Sequence, residues 1–146
     1  MERHQHDEKS PITCTELRVR GYHLDGYGHV NHARYLEFME EGRWDYFDKS
    51  PSLMAQLSSG DVAFVAVNLN IDYRRAAVGG DDLRVHTRLS ELGSRSAKMT
   101  QDVVRARDGK AVASAVLTFV LLDVASNKAV AIEGRLRDEL APLVTP

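Results

Sequence analysis

Twelve residues, Gly21 to His32 (GYHLDGYGHVNH), carry the densest chemistry in the chain: three glycines, three histidines and a lone carboxylate, Asp25. Directly after them the pattern turns helical. A helix N-terminus offers unpaired backbone N–H groups and a partial positive charge. A carboxylate beside it can attack a carbonyl or deprotonate water. The pair suits acyl transfer to water, in which an oxygen attacks while negative charge develops on the carbonyl oxygen. The same residues also fit a plain turn, since Asp-Gly, here Asp25-Gly26, is a common turn pair.

The elements that must position these residues follow from periodicity. Leu17 and Val19 alternate with Glu16, Arg18 and Arg20, which predicts a half-buried strand from about Thr13 to Tyr22. A helix is expected from Asn31 or His32 to about Asp48, with Asn31 as N-cap. Leu36, Met39, Arg43 and Tyr46 form its inward stripe, widened by Tyr35 and Phe47, with Glu37, Glu41 and Asp45 on the polar face. Gly42 costs that helix roughly 1 kcal/mol against alanine, which points to close approach of another backbone. A connector, with a helical turn near Leu53 to Leu57, leads into period-two patterns. Val65, Val67, Leu69, Ile71 and Tyr73 alternate with Ala66, Asn68, Asn70 and Asp72; Leu83, Val85, Thr87 and Leu89 alternate with Arg84, His86, Arg88 and Ser90. Ala97 to Ala106 reads as a weaker strand with Met99 and Val103 inward, and Asp108-Gly109 as a hairpin turn. Ala111 to Leu122 is almost continuously apolar, as for a strand covered on both faces. A short edge piece at Val130 to Ile132 and a terminal helical turn at Arg135 to Leu140 complete the pattern. Consecutive strands favour an antiparallel sheet, and one long helix covers only one of its faces. Oligomerisation would cover the other.

The bulk composition narrows the function classes. At 146 residues the chain has the length of one domain, expected over 13–146 behind a flexible tail at 1–12. The net charge of −2 excludes a general nucleic-acid binder. Cys14 is the only cysteine, so no intrachain disulfide forms, and no Cys/His spacing matches a zinc site. His4 and His6 read as solvated tail residues. The first dozen residues are polar and no apolar run approaches a membrane span, so a soluble cytoplasmic protein is expected, with no membrane partner.

With these residues in hand, a family resemblance can be stated. Asp25-Gly26-Tyr27-Gly28-His29-Val30-Asn31-His32, then Tyr35, then Glu40-Glu41-Gly42-Arg43, resembles the D-x-x-G-H-V-N signature of hotdog-fold acyl-CoA thioesterases, in the 4-hydroxybenzoyl-CoA thioesterase-like branch. A second block, Ile71 to Ala76 followed by Gly80-Asp81-Asp82-Leu83-Arg84-Val85, is similar to another segment of that family. The resemblance covers about residues 13–140. Two departures are Arg75-Ala76, where the family often has Pro-Ala and only a difference in stiffness is expected, and His32, where Asn or an aromatic residue is more usual.

The resemblance implies an α+β hotdog fold, a curved antiparallel sheet wrapped around one long central helix. It implies homodimers joined edge to edge, often paired into tetramers, with sites at the dimer interface. Asp25 would be the nucleophile or general base at a thioester carbonyl, and the His32 backbone N–H would meet the carbonyl oxygen. Gly28, His29, Asn31 and Tyr35 would shape the substrate site, and Asn68 would reach it from the other subunit. Arg74, Arg75, Arg95 and Lys98 are candidates for a basic rim holding the phosphates of coenzyme A. The substrate would be an acyl-CoA or an acyl-carrier-protein thioester. No cofactor or metal is expected, because coenzyme A is part of the substrate. Two alternatives use the same fold: a hydratase or dehydratase recruiting His29 with Asp25, and a non-catalytic acyl-CoA or acyl-carrier binding protein.

Overall fold

Strand order β1-β3-β4-β5-β2 organises the computed structural model, which describes residues 10–146. The elements in chain order are β1 (Ile12–Arg18), α1 (Arg34–Asp48), α2 (Pro51–Leu57), β2 (Val62–Tyr73), β3 (Asp82–Leu92), β4 (Ser96–Arg105), β5 (Ala111–Asp123), β6 (Lys128–Ala129) and α3 (Gly134–Leu140). All pairings are antiparallel. Hairpins link β3, β4 and β5, whereas β2 reaches the far edge beside β5. His4, His6 and most of the expected tail lie outside the described residues. Among the described residues no helix is long and apolar enough to cross a membrane.

The concave face of the sheet carries the core. Leu83, Val85, Met99, Val103 and Ala113 are fully buried there, opposite Tyr35, Phe38, Met39 and Tyr46 of α1. β5 alternates, as a one-faced strand does: Ala113, Ala115, Leu117, Phe119 and Leu121 point inward, while Val116 on the other face is exposed. Its apolar run therefore does not reflect two covered faces within this chain.

Three expectations about α1 change. Leu36, assigned to the inward stripe, is exposed, and Phe38 takes that place. Asp45, assigned to the polar face, is completely buried and its Oδ2 accepts the Thr15 hydroxyl at 2.6 Å. Gly42 is approached by side chains rather than by a backbone. A Cβ there would sit 2.7 Å from Thr87 Oγ1, 2.9 Å from Val85 Cγ1 and 3.0 Å from Gln101 Nε2. The cause is a polar seam under the helix. Gln101 is buried on β4, donates to the Met39 carbonyl at 2.7 Å and to Thr87 Oγ1 at 2.9 Å, and accepts from Arg43 at 3.1 Å. Satisfied in this way, a buried amide fixes the helix on the sheet instead of destabilising it.

A second change concerns β2. A register shift between Ala66 and Asn68 adds one residue to the strand. A bulge of this kind reverses which parity faces the helix. Leu69, Ile71 and Tyr73 face inward as expected. Before the bulge the inward residues are Phe64 and Ala66, while Val65 turns to the convex face opposite Val120.

The seam gives Gly42→Ala an unusual sign. In an exposed helix this change stabilises by about 1 kcal/mol. Here short β-branched side chains must move, so unfolding in urea should show a loss of roughly 1–3 kcal/mol. A gain in stability would mean that the helix does not sit this close to β3 and β4.

Candidate functional site

The loop after β1 is closed at its base and ordered at its tip. Asn31 N–H donates to the His23 carbonyl at 2.9 Å, and isolated bridges join Leu24 to Val30 and His29 to Val78. Val30 N–H donates to the Ala77 carbonyl at 2.9 Å, which ties the loop to the segment after β2. His23 is structural: its Nδ1 accepts the Arg20 N–H at 2.8 Å, and burial holds its pKa below the ordinary value. Gly28 adopts φ +78°, which favours glycine, and its N–H closes the tip onto the Asp25 carbonyl at 3.2 Å.

Asp25 is half-buried within this tip. Its Oδ1 accepts the Tyr27 N–H at 2.8 Å and the His29 N–H at 3.2 Å, so the turn reading is correct for that oxygen. Its Oδ2 makes no hydrogen bond among the described residues. The carboxylate is thus oriented through one oxygen, which leaves the other for chemistry. His29 is exposed, and its hydrogen bonds to Asp25 come from its main chain.

The helix starts later than expected. Residues 31–33 form a turn led by Asn31, and α1 begins at Arg34. Asn31 Oδ1 accepts the Ala33 N–H and its carbonyl accepts the Arg34 N–H, both at 2.9 Å. Asn31 is therefore not the formal N-cap but holds the entry turn from both sides. Between these bonded groups the His32 N–H has no hydrogen-bond partner among the described residues. The His32 carbonyl accepts the Tyr73 hydroxyl at 3.0 Å, which joins the helix start to the end of β2.

Tyr73 is the residue that sequence reasoning missed. It belongs to the alternation of β2 and to the second motif block, Ile71 to Ala76, but was given no role at the site; the signal is a half-exposed aromatic at a strand end within that block. Tyr35, expected at the substrate, is instead buried, 5.6 Å from the Tyr73 ring and 5.8 Å from that of Phe38. Burial raises its hydroxyl pKa, opposed by a backbone hydrogen bond from Ala77. Asn68 lies on the convex face of β2, exposed, where its Oδ1 accepts from Asn70 at 3.0 Å.

The four basic candidates do not form one rim. Arg74 and Arg75 follow β2 directly, and both N–H groups donate to the Val112 carbonyl, at 2.8 and 3.2 Å. Arg95 lies in the β3–β4 turn, its carbonyl accepting the Leu121 N–H, and Lys98 pairs with Glu91 at 3.6 Å. The anchor points on β5, Val112 and Leu121, are roughly 30 Å apart at the strand rise of about 3.4 Å per residue. Among the described residues no three His, Cys, Asp or Glu side chains gather as a metal site.

A curved antiparallel sheet around one long helix, with a carboxylate loop leading into that helix, is the hotdog architecture of thioesterases, an α+β fold. A model of the Thioesterase-like superfamily matches residues 19–140, and the chain belongs to that family. It is similar to the long-chain acyl-CoA thioesterase FadM of Escherichia coli, 46% identical over 130 residues that span 89% of this chain and 98% of that protein. The crystal structure of YbaW, a probable thioesterase from Escherichia coli, superposes with a TM-score of 0.82 at 45% identity, covering 90% of this chain and 98% of that one. The 1,4-dihydroxy-2-naphthoyl-CoA thioesterase Slr0204 from Synechocystis shares the fold, with a TM-score of 0.80 at 21% identity over 92% of this chain and 99% of that one.

The free N–H separates two substitutions of one residue. If the main chain of residue 32 is what the carbonyl oxygen meets, His32→Ala retains thiol release from acyl-CoA within a few-fold. His32→Pro lowers kcat by about 10²–10³ while the circular dichroism stays that of the wild type. Equal losses in both variants would assign the role to the imidazole instead.

Proposed function

We propose that this chain, a thioester hydrolase, cleaves acyl-CoA to a free acid and CoA using Asp25 and the His32 backbone N–H at one carbonyl. The observation that carries the reading is what one helix entry holds: on its loop a carboxylate oriented through Oδ1, and in its first turn a main-chain donor without a partner among the described residues. The thioester oxygen would accept from the His32 N–H, aided by the positive end of α1. Asp25 would attack the carbonyl carbon, or take a proton from the water that does. The C–S bond breaks and the thiolate of CoA leaves and is protonated; attack by water gives the free acid directly, whereas attack by Asp25 gives a mixed anhydride that water opens in a second step to the acid and the regenerated carboxylate. No cofactor is needed, because coenzyme A is part of the substrate. The names of the similar proteins, FadM and Slr0204, support an acyl-CoA substrate.

The reading extends to the assembly. β2 is a sheet edge, and it exposes Val65, Val67 and Tyr73. A long exposed apolar edge is normally covered. A second copy aligned along β2 would cover it and continue the sheet, with Asn68 on the convex side of that seam rather than facing the partner's helix. Dimers of this kind leave the convex faces free to pair into tetramers. Arg74 and Arg75, at the Tyr73 end of β2, would meet the phosphates of coenzyme A, turning from their present partners Ser114 and the Ala111 carbonyl.

The geometry gives less to the alternatives. A hydratase would need the His29 imidazole against Asp25, and the bonds between them come from the main chain. A mere binding protein would have no use for an oriented carboxylate oxygen without a partner.

Asp25→Asn keeps the turn, since the amide oxygen still accepts from Tyr27 and His29, but removes the base and nucleophile. Thiol release from a panel of acyl-CoAs should fall by about 10²–10⁴ with the fold intact. Wild-type rates in this variant would remove Asp25 from the mechanism. An active wild type that elutes from gel filtration at monomer mass would remove the shared-interface site.

A further inference from the structure

The His32 carbonyl stands outside the helix ladder. The entry to α1 is tight: Arg34 N–H donates to the Asn31 carbonyl at 2.9 Å and Leu36 N–H to the Ala33 carbonyl at 3.2 Å. No main-chain N–H takes the His32 carbonyl between them. Among the described residues its one hydrogen bond comes from the Tyr73 hydroxyl, at 3.0 Å.

We infer that Tyr73 is a positioning residue for the reaction: its hydroxyl fixes the peptide unit that follows His32 and so aims the His32 N–H at the thioester oxygen. The inference rests on the thioesterase reading and goes further by giving β2 a part in catalysis.

An N–H with no partner of its own takes its direction from the two peptide units around it. The unit before His32 is held by its carbonyl, that of Asn31, which accepts the Arg34 N–H. Accepting that bond polarises the unit and strengthens the N–H it carries, which is that of His32. The unit after His32 is held at both ends by side chains. Its N–H, on Ala33, donates to Asn31 Oδ1 at 2.9 Å, and its carbonyl accepts from Tyr73. Asn31 belongs to the turn itself. Tyr73 belongs to the sheet, so its bond fixes the turn against the sheet as well.

The end of β2 is built to hold that hydroxyl. Tyr73 pairs with Ala113, and the next two N–H groups both donate to the Val112 carbonyl, which ends the ladder directly after Tyr73. The Tyr73 ring stands edge-on to Tyr35 at 5.6 Å and to His32 at 6.4 Å between centroids. At 48% exposure it adds less to the core than a buried ring would, and what tyrosine supplies here beyond phenylalanine is the hydroxyl.

The bulge accounts for the side on which Tyr73 emerges. Phe64 is fixed inward by Phe47 and Phe119, with ring centroids at 6.2 and 4.4 Å. Counting on from Phe64 by twos reaches only even positions, which would send Tyr73 to the convex face. The extra residue between Ala66 and Asn68 reverses the parity and brings Tyr73 to the helix side. Leu69 and Ile71 turn inward with it, and their packing on the core steadies the strand end.

A double-mutant cycle tests the role, with kcat and KM measured on whichever acyl-CoA of the panel the wild type hydrolyses fastest. Tyr73→Phe keeps the ring and removes the hydroxyl. It should lower kcat by about 10- to 100-fold, the scale of a catalytic group misplaced by about 1 Å, with KM within about twofold of the wild type. In the His32→Pro background, which has no N–H to aim, the same change should cost almost nothing further. A wild-type kcat in Tyr73→Phe, or a rise in KM alone, overturns the positioning role. So does a full second loss on top of His32→Pro, since the hydroxyl would then act by another route. A loss that only tracks the unfolded fraction seen by circular dichroism overturns it too. Each of these leaves the thioesterase reading standing, whereas a wild type that releases thiol from no acyl-CoA overturns both.

Discussion

Three hydrogen bonds hold the start of α1 in place, and the rest of the site depends on them. Asn31 N–H bonds the His23 carbonyl, Val30 N–H bonds the Ala77 carbonyl, and the Tyr73 hydroxyl bonds the His32 carbonyl. They draw on three parts of the chain: the loop before the helix, the segment after β2, and the end of β2 itself. The His32 N–H is left open between them. A preorganised donor has to be fixed before the charge appears, or its reorganisation cancels the benefit. The Asp25 tip is fixed in the same way, by the backbone of residues it adjoins.

The polar seam beneath α1 serves the same end from the other side. A helix seated only on apolar side chains can shift its register at little cost. Gln101 and the Thr15–Asp45 pair bind particular groups of α1, and Gly42 lets it sit against Val85 and Thr87. The helix is thereby biased towards β1 and β3, and it meets β2 through ring contacts, Tyr35 with Tyr73 and Phe47 with Phe64.

Much of this was legible in the sequence, and the exceptions share a cause. Strands β2 to β4 followed from alternation, β5 from its continuous apolar run, and the loop from its glycines and Asp25. Asp45 was misplaced because polarity alone puts a residue outside, and only its partner across the seam, Thr15, reveals the opposite. Leu36 and Trp44 are apolar yet exposed in this chain, and hydropathy does not distinguish a core face from one awaiting a ligand or a second copy. The bulge at Ala66 leaves no mark in an alternating run, yet it decides which residues of β2 face the helix. Within one chain the four basic candidates lie at two ends of the sheet, because distance along the sequence says little about which end of a sheet a residue occupies.

A crystal structure with a non-hydrolysable ketone analogue of a long-chain acyl-CoA tests the central claim most directly. The account predicts the ketone oxygen about 2.7–3.1 Å from the His32 nitrogen, with Asp25 Oδ2 facing the carbonyl carbon. A ketone bound away from the start of α1, or an Asp25 carboxylate turned from it, would contradict the account.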